Sequence, residues 1–498
     1  MMTRAKTSRG RALVAIGAAA VALLGGCAVG PDFQRPAAPA ADHYLPRPLP
    51  AKSASAPGEA RQAFVSGRDV DGRWWSLFGS PELDALEEEA LRHNADLAAA
   101  RAALSQAHEL YLAQRAARFP SVQLSSDAAH TKNSDILASP LSSNAQTYSL
   151  YAAQFDISYV LDIFGGQRRA TEAAAAQAES QKFQTEAAYV ALTSNVASTA
   201  LQIAALRSQL AAATRQVAAD RRMLEITRRR QSLGEASTLD VAAAESTLEQ
   251  AQQAAPGLQK QIGQLNDLLA VYLGRPPAEA ETLRLDLAAF HLPADLPVSL
   301  PSELVRQRPD VRAAEANLHA ASAQVGVALA ARLPSFTLNG SLGGNSTAIG
   351  SLLTPANSLW SFGGSASQSV FDAGALRHQQ KAAEAGLAQA QAQYRAAVLA
   401  ALQNTADALQ AIVYDAETLR HAALAHDAAA RSSAIAHAQF EHGEVDALTA
   451  LNAEAAADQA QLTLIQARAA RYADTVALLQ ALGGGWWNTA EASGEGRR

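Results

Sequence analysis

Apolar and polar positions follow two different rhythms along this chain. The segment AQFDISY, residues 153–159, alternates strictly: Ala153, Phe155, Ile157 and Tyr159 fall on one face, Gln154, Asp156 and Ser158 on the other. A period of two is that of a strand with two unlike faces. A weaker alternation runs from Ser121 to Thr131, with Val122 and Leu124 together. Around these lie long alanine-rich stretches, which predict helices. The first spans Asp96 to Arg118 and is closed by Pro120, whose ring stops helix propagation. The second runs from Gln167 to Leu233, with no Gly or Pro, before Gly234 breaks it; at 1.5 Å per residue it measures roughly 100 Å. The third runs from Thr238 to Leu273 through Pro256, where a kink is expected.

The same order of elements then recurs. RHNADLAAARAAL (92–104) aligns with RQRPDVRAAEANL (306–318), and RFPSVQL (118–124) with RLPSFTL (332–338), at a constant offset of 214. LGEAST (233–238) aligns with HGEVDA (442–447), and LGRPP (273–277) with LGGGW (482–486), at an offset of 209. A repeat of this length is a duplicated domain plan rather than a solenoid unit. The second half therefore predicts helices at 309–332, 376–441 and 447–482 and a turn at Gly443, with strands near 335–343 and 360–371 matching those at about 121–131 and 148–161. In each half a short helix plus the third helix nearly equals the long one in length, so the two short pieces are expected to stack end to end beside it.

Four strands per chain cannot close a barrel, and unpaired edges are untenable in lipid. Apolar and aromatic residues on one face and polar ones on the other are the pattern of an outer-membrane barrel with a wet lumen. Closure then needs several chains. Three would supply twelve strands, enough to leave a channel. Phe155, Ile157 and Tyr159 are the candidate lipid-facing residues.

The N-terminus supports a membrane setting. Arg4, Lys6, Arg9 and Arg11 precede an apolar run from Ala12 to Leu24, and the sole cysteine, Cys27, follows Leu24-Gly25-Gly26. That is the layout of a secretory signal, and the last four residues resemble a lipobox, which marks Cys27 for lipid attachment. Removing residues 1–26 takes the formal net charge from −6 to −10, which argues against nucleic acid as a partner. The composition, 49% hydrophobic but only 5% aromatic with alanine the commonest apolar residue, suits long, closely packed helices rather than one thick core. The expected domains are a signal peptide (1–26), a lipid-anchored extended segment (27–80), a first repeat (81–290), a second repeat (291–485) and a flexible tail (486–498).

The segments CAVGPDFQRP (27–36), WWSLFGSPELDALEEEALRHNADLAAARA (74–102), LGRPP and LPSELVRQRPDVRAAEANLHAASAQVGVALAARLPSF (300–336) resemble the outer-membrane factor lipoproteins of the TolC/OprM/NodT family. The resemblance covers essentially the whole mature chain. It implies a mainly α-helical fold with a small transmembrane β part: a homotrimer in which a long α-helical barrel continues a twelve-stranded β-barrel. It also implies a periplasmic adaptor and an inner-membrane transporter, commonly of the resistance-nodulation-division class, as partners in drug or small-molecule efflux. A type I protein-secretion duct of the same fold and a lipid-anchored scaffold without a pore are the competing readings.

No catalytic motif accompanies this plan, so the expectation is not an enzyme, with no metal and no cofactor beyond a covalent lipid on Cys27. His421 and His426 are five apart on a helix and do not share a face. The functional candidates are the two hairpin ends, RRRQSLGEASTLD (228–240) and AQFEHGEVDALTALNAE (438–454). Gly234 and Gly443 can adopt positive φ and end the long helices. Glu235, Thr238, Glu444 and Asp446 lie just before the returning helices, where oxygen-bearing side chains cap exposed N–H groups. In a trimer these ends converge, and the resemblance places the periplasmic aperture and the adaptor contact there.

Overall fold

The structure, a computed structural model, describes residues 28–40, 42–57, 61–139, 141, 143–279 and 285–489. Among these residues eight α-helices are the frame: α1 (Pro81–His93), α2 (Ala95–Ala116), α3 (Gly166–Ser232), α4 (Thr238–Tyr272), α5 (Pro301–Gln307), α6 (Pro309–Ala330), α7 (Ala375–Glu441) and α8 (Ala447–Ala481). Among the described residues six strands accompany them: β1 (Ala63–Ser66), β2 (Ser121–Lys132), β3 (Thr147–Leu161), β4 (Asp295–Val298), β5 (Ser335–Ser346) and β6 (Ser358–Ser367). The duplication is visible in the lengths. α2 and α6 have 22 residues each, α3 and α7 have 67, and α4 and α8 have 35. α4 runs on through Pro256.

Windows of α3 and α7 reach a mean hydropathy of 1.2. Alanine accounts for this, and a helix of roughly 100 Å far exceeds the ~30 Å hydrocarbon layer. Both helices therefore read as long packing helices.

The chain divides into two compact units. One gathers the segment up to Pro36 with Leu104–Gln181 and Ala314–Tyr394. Its centre is an antiparallel sheet in the order β2-β3-β5-β6. The strand expected at 360–371 is instead Ser358–Ser367, because the first residue of β5, Ser335, pairs with Ser367 and nothing extends the ladder further. In the same unit the N-terminal segment is pinned to the first turn of α3. Arg169 is 5% exposed. It donates to Asp32 Oδ1 at 2.6 Å and to the Val29 carbonyl at 3.2 Å. Phe33 stacks on His319 with centroids 4.3 Å apart.

The other unit comprises Ala37–Ala103, Lys182–Ala313 and the chain from Arg395. Here the short helices meet end to end, as their lengths suggested. Asn94 accepts from Leu97 N at 2.9 Å to cap α2, and donates to the carbonyl of Tyr272, the last residue of α4, at 3.0 Å. In the second half Arg308 donates to the carbonyl of Ala481, at the end of α8, at 3.0 Å.

Two expected segments need correction. The segment expected to be extended at 27–80 is not merely so where it is described. β1 pairs in parallel with β4, and Trp74, Trp75 and Phe78 are fully buried, with Trp74 edge-on to both neighbours. The flexible tail does not begin at 486. Trp486–Asn488 form a single turn, Trp486 Nε1 donates to the Gln307 carbonyl at 2.7 Å, and its ring packs edge-on against Phe183. Large aromatic rings seldom stay in water when a pocket is within reach.

Candidate functional site: hairpin ends and an apolar sheet face

Both long helices end the same way. At the first hairpin, Glu235 N donates to the Arg230 carbonyl at 2.8 Å and Gly234 N to the Gln231 carbonyl at 3.0 Å. At the second, Glu444 N donates to Gln439 at 2.8 Å and Gly443 N to Phe440 at 3.1 Å. This is the Schellman pattern, which requires a left-handed residue at the turn. Gly234 and Gly443 supply it with φ of +80° and +75°.

The returning helices are capped differently. Asp446 accepts from Thr449 N at 2.8 Å, and the Thr449 hydroxyl and N–H together hold its carboxyl below the ordinary aspartate range. In the first hairpin the cap is Ser237, which shares a reciprocal capping box with Asp240. Thr238 is the first helical residue, and its hydroxyl meets Gln231 Nε2 at 3.4 Å. The expected candidate, Thr238, therefore does not cap the helix; Ser237, one residue earlier, does. The x-x-Asp spacing after Ser237 is the signal that singles it out. Glu235 and Glu444 give only their backbone N–H to the turns and leave their side chains exposed.

The two hairpins are joined by contacts that sequence patterning did not reveal. Arg230 lies over the Phe440 ring, 4.0 Å from its centroid, and donates to the Phe440 carbonyl. Phe440 is buried with Met223, Leu224, Ala244, Leu248, Ala447, Ala450 and Leu451, drawn from all four long helices. Arg228 pairs with Glu245 at 2.6 Å across the first hairpin. Of the three consecutive arginines, one therefore bridges the hairpins and one staples its own.

The sheet presents one continuous apolar face. Register places Val122 opposite Ile157 and Leu124 opposite Phe155. Phe155 in turn lies opposite Leu342, and Tyr159 opposite Leu338. Leu342 faces Trp360, and Gly340 faces Phe362. Phe155 and Ile157 are exposed, as are Val122, Leu124, Trp360 and Phe362, while Tyr159 sits on the same face half-buried. The opposite face is polar. Ser125 Oγ donates to Asp156 Oδ2 at 2.7 Å, Gln154 Nε2 donates to Asp156 Oδ1 at 2.8 Å, and Ser341 meets Ser361 at 2.8 Å. Among the described residues, both edge strands, β2 and β6, have one unpaired side. Cys27 lies outside the described residues. Its neighbour Ala28 packs against Gly165, just past the end of β3, so tightly that a Cβ built on Gly165 would stand 2.6 Å from Ala28 Cα.

The helical and sheet geometry has known counterparts. The sequence profile of the family described as Outer membrane efflux protein matches residues 86–275 and again 300–484, one match per repeat. The pyoverdine export outer membrane protein OpmQ of Pseudomonas putida is 31% identical over 430 residues, covering 84% of this chain and 88% of its own. Outer membrane protein OprJ of Pseudomonas aeruginosa is 30% identical over 468 residues, covering 93% and 94%. Among solved structures, the outer-membrane channel OprN superposes with a TM-score of 0.81 at 28% identity, over 92% of this chain and all of that one. The chain belongs to the outer membrane efflux protein family, the channel-forming efflux proteins of the bacterial outer membrane.

Proposed function

We propose that three copies of this chain form the exit duct of a tripartite small-molecule efflux system. The observation that carries this reading is the four-stranded sheet, with one apolar face, one polar face and two open edges. β6 of one copy pairs with β2 of the next, so that three copies give twelve strands around a wet lumen. The apolar face meets lipid through Phe155, Ile157 and Tyr159. The relatives' names support efflux, pyoverdine for OpmQ and toluene for a relative in Pseudomonas putida; substrate choice here is assigned to an inner-membrane transporter, expected to be of the resistance-nodulation-division class. A periplasmic adaptor is assigned to the hairpin ends, where Gly234, Glu235, Thr238, Gly443, Glu444 and Asp446 surround the aperture. The protein itself is a passive conduit opened by those partners.

The test is conductance. Purified protein in planar bilayers is expected to pass ions, with longer openings when Arg230→Ala removes the bridge to Phe440. Absence of current in both would favour a scaffold without a pore.

Lipid on Cys27 belongs to the same reading. With Ala28 fixed beside Gly165, acyl chains on Cys27 enter the bilayer close to the rim of the sheet. The barrel, not the lipid, retains the channel, since twelve shared strands already span the membrane. Cys27→Ser carried behind a non-lipoprotein signal peptide is therefore expected to remain in outer-membrane fractions as a trimer. Recovery of that variant as soluble periplasmic protein would overturn the barrel assignment.

A further inference from the structure

Between the two hairpins lies a group of acids that neither the aperture nor the sheet uses. Asp220 on α3 is 1% exposed and Glu454 on α8 8%. Asp458, one turn further along α8, is half-buried. His437 on α7 completes the group. Its Nε2 stands 3.3 Å from Glu454 Oε2, without the alignment of a hydrogen bond. Asp220 Oδ2, Glu454 Oε2 and Asp458 Oδ2 are all buried with no hydrogen-bond partner. By helix rise, Glu454 and Asp220 lie roughly 10–20 Å from their hairpin turns.

A buried carboxylate without partners is costly, and three sharing one site cannot all ionise at little cost. Burial comes first in raising each. It pushes Glu454 up to about 7, with Asp220 adding repulsion. It pushes Asp458 up to about 6, with Glu454 and Asp220 adding repulsion and His437 opposing it. Asp220 is raised by burial alone. Among the described residues, no other charged group acts on these carboxyls. α4 turns Ala244 and Leu248 toward the shared core, and its Glu245 is held by Arg228. Arg221 and Arg222 on α3 and Arg431 on α7 point to solvent.

The placement matters more than the count. Asp220 belongs to the first hairpin and the other three residues to the second. Any movement of one hairpin against the other changes their separation and their access to water. We infer that Asp220, Glu454, Asp458 and His437 form a proton-operated latch between the hairpins. It is closed when the carboxyls are protonated and loosened when they ionise. The latch rests on the reading of the hairpin ends as the channel entrance.

The sign follows from linkage. The packed arrangement holds these carboxyls above their ordinary values of 4.5 and 3.8, so it binds more protons than a hydrated, parted arrangement does. Packing is then strongest below about pH 4 and weakens as pH rises through 6 and 7.

The decisive measurement is hydrogen exchange on the full-length protein in detergent, corrected for the intrinsic pH dependence of exchange. Amides of 447–458 and 216–224 are expected to lose protection by about tenfold or more between pH 5.5 and 7.5, since one linked proton shifts an equilibrium up to tenfold per pH unit. Glu454→Gln with Asp458→Asn, which imitates the protonated state, is expected to keep these amides protected at both pH values. In bilayers the same variant is expected to abolish the rise in open probability between pH 5.5 and 7.5. Protection in the wild type that does not change with pH overturns the latch, as does a double variant that still loosens at pH 7.5. Exchange needs no current, so failure of the latch and failure of the channel reading are told apart.

Discussion

Phe155→Arg is expected to remove nearly all of the protein from outer-membrane fractions. Phe155 lies in the middle of β3 with Leu124 opposite on one side and Leu342 on the other, and it is half exposed. On a lipid-facing strand an arginine near the midplane costs about 2–4 kcal/mol. A trimer carries three copies, and domain stability is itself only about 5–15 kcal/mol. The guanidinium finds no acid on its own face, because Asp156 points to the other one with Gln154 and Ser125. Ser158→Arg is the control. It adds the same charge three residues away on the polar face, beside Asn339, and is expected to leave the amount in the membrane unchanged while altering single-channel conductance. Immunoblots of fractionated membranes distinguish the two. Normal accumulation of Phe155→Arg would show that the apolar face meets protein instead of lipid.

The second large effect concerns a glycine far from the aperture. Gly274→Val is expected to prevent assembly, with loss of export and of trimers on native gels. Gly274 has φ of +75°, and a Cβ there would stand 2.2 Å from the His93 carbonyl oxygen. The oxygen is backbone at the end of α1, next to Asn94, whose bonds join α4 to α2. Relief therefore requires the end-to-end junction to open. Gly443 makes a useful contrast. It has the same φ, but a Cβ there meets nothing within 4 Å. Gly443→Ala pays the left-handed strain of about 1–2 kcal/mol and little else, so trimers are expected to persist. If Gly274→Val assembled as well as Gly443→Ala, the end-to-end junction would not be the structural keystone it is taken for.

The helical frame was legible because its signals are local. Alanine-rich runs, glycine stops and two constant offsets placed each long helix within a residue or two of its observed ends. The sheet face was legible at AQFDISY because alternation is strict there and weak elsewhere. What stayed hidden depends on residues distant in sequence. β1 and β4 pair across more than two hundred residues, and neither four-residue strand has a pattern of its own. Trp74, Trp75 and Phe78 fall in a segment expected to be extended, and what buries them is distant in sequence: Phe78 packs on Tyr472, which in turn meets Phe290. Asp220 and Glu454 resemble every other acid on an alanine-rich helix. Such helices bury more than one face, and the second hairpin decides which acid goes inside. Arg230 is one of three consecutive arginines, and it is the contact with Phe440 that sets it apart.

The unpaired edges of β2 and β6 have a genetic consequence. In the proposed trimer no subunit is complete alone, and every channel is a joint product of three chains. A variant that assembles but cannot open would then be dominant. Expressed at equal level beside the normal chain, it would leave only about an eighth of the channels wholly normal. A variant that cannot enter the membrane, such as Phe155→Arg, would be recessive, because it never joins the mixture. Co-expression thus sorts defects of gating from defects of assembly without purifying either protein.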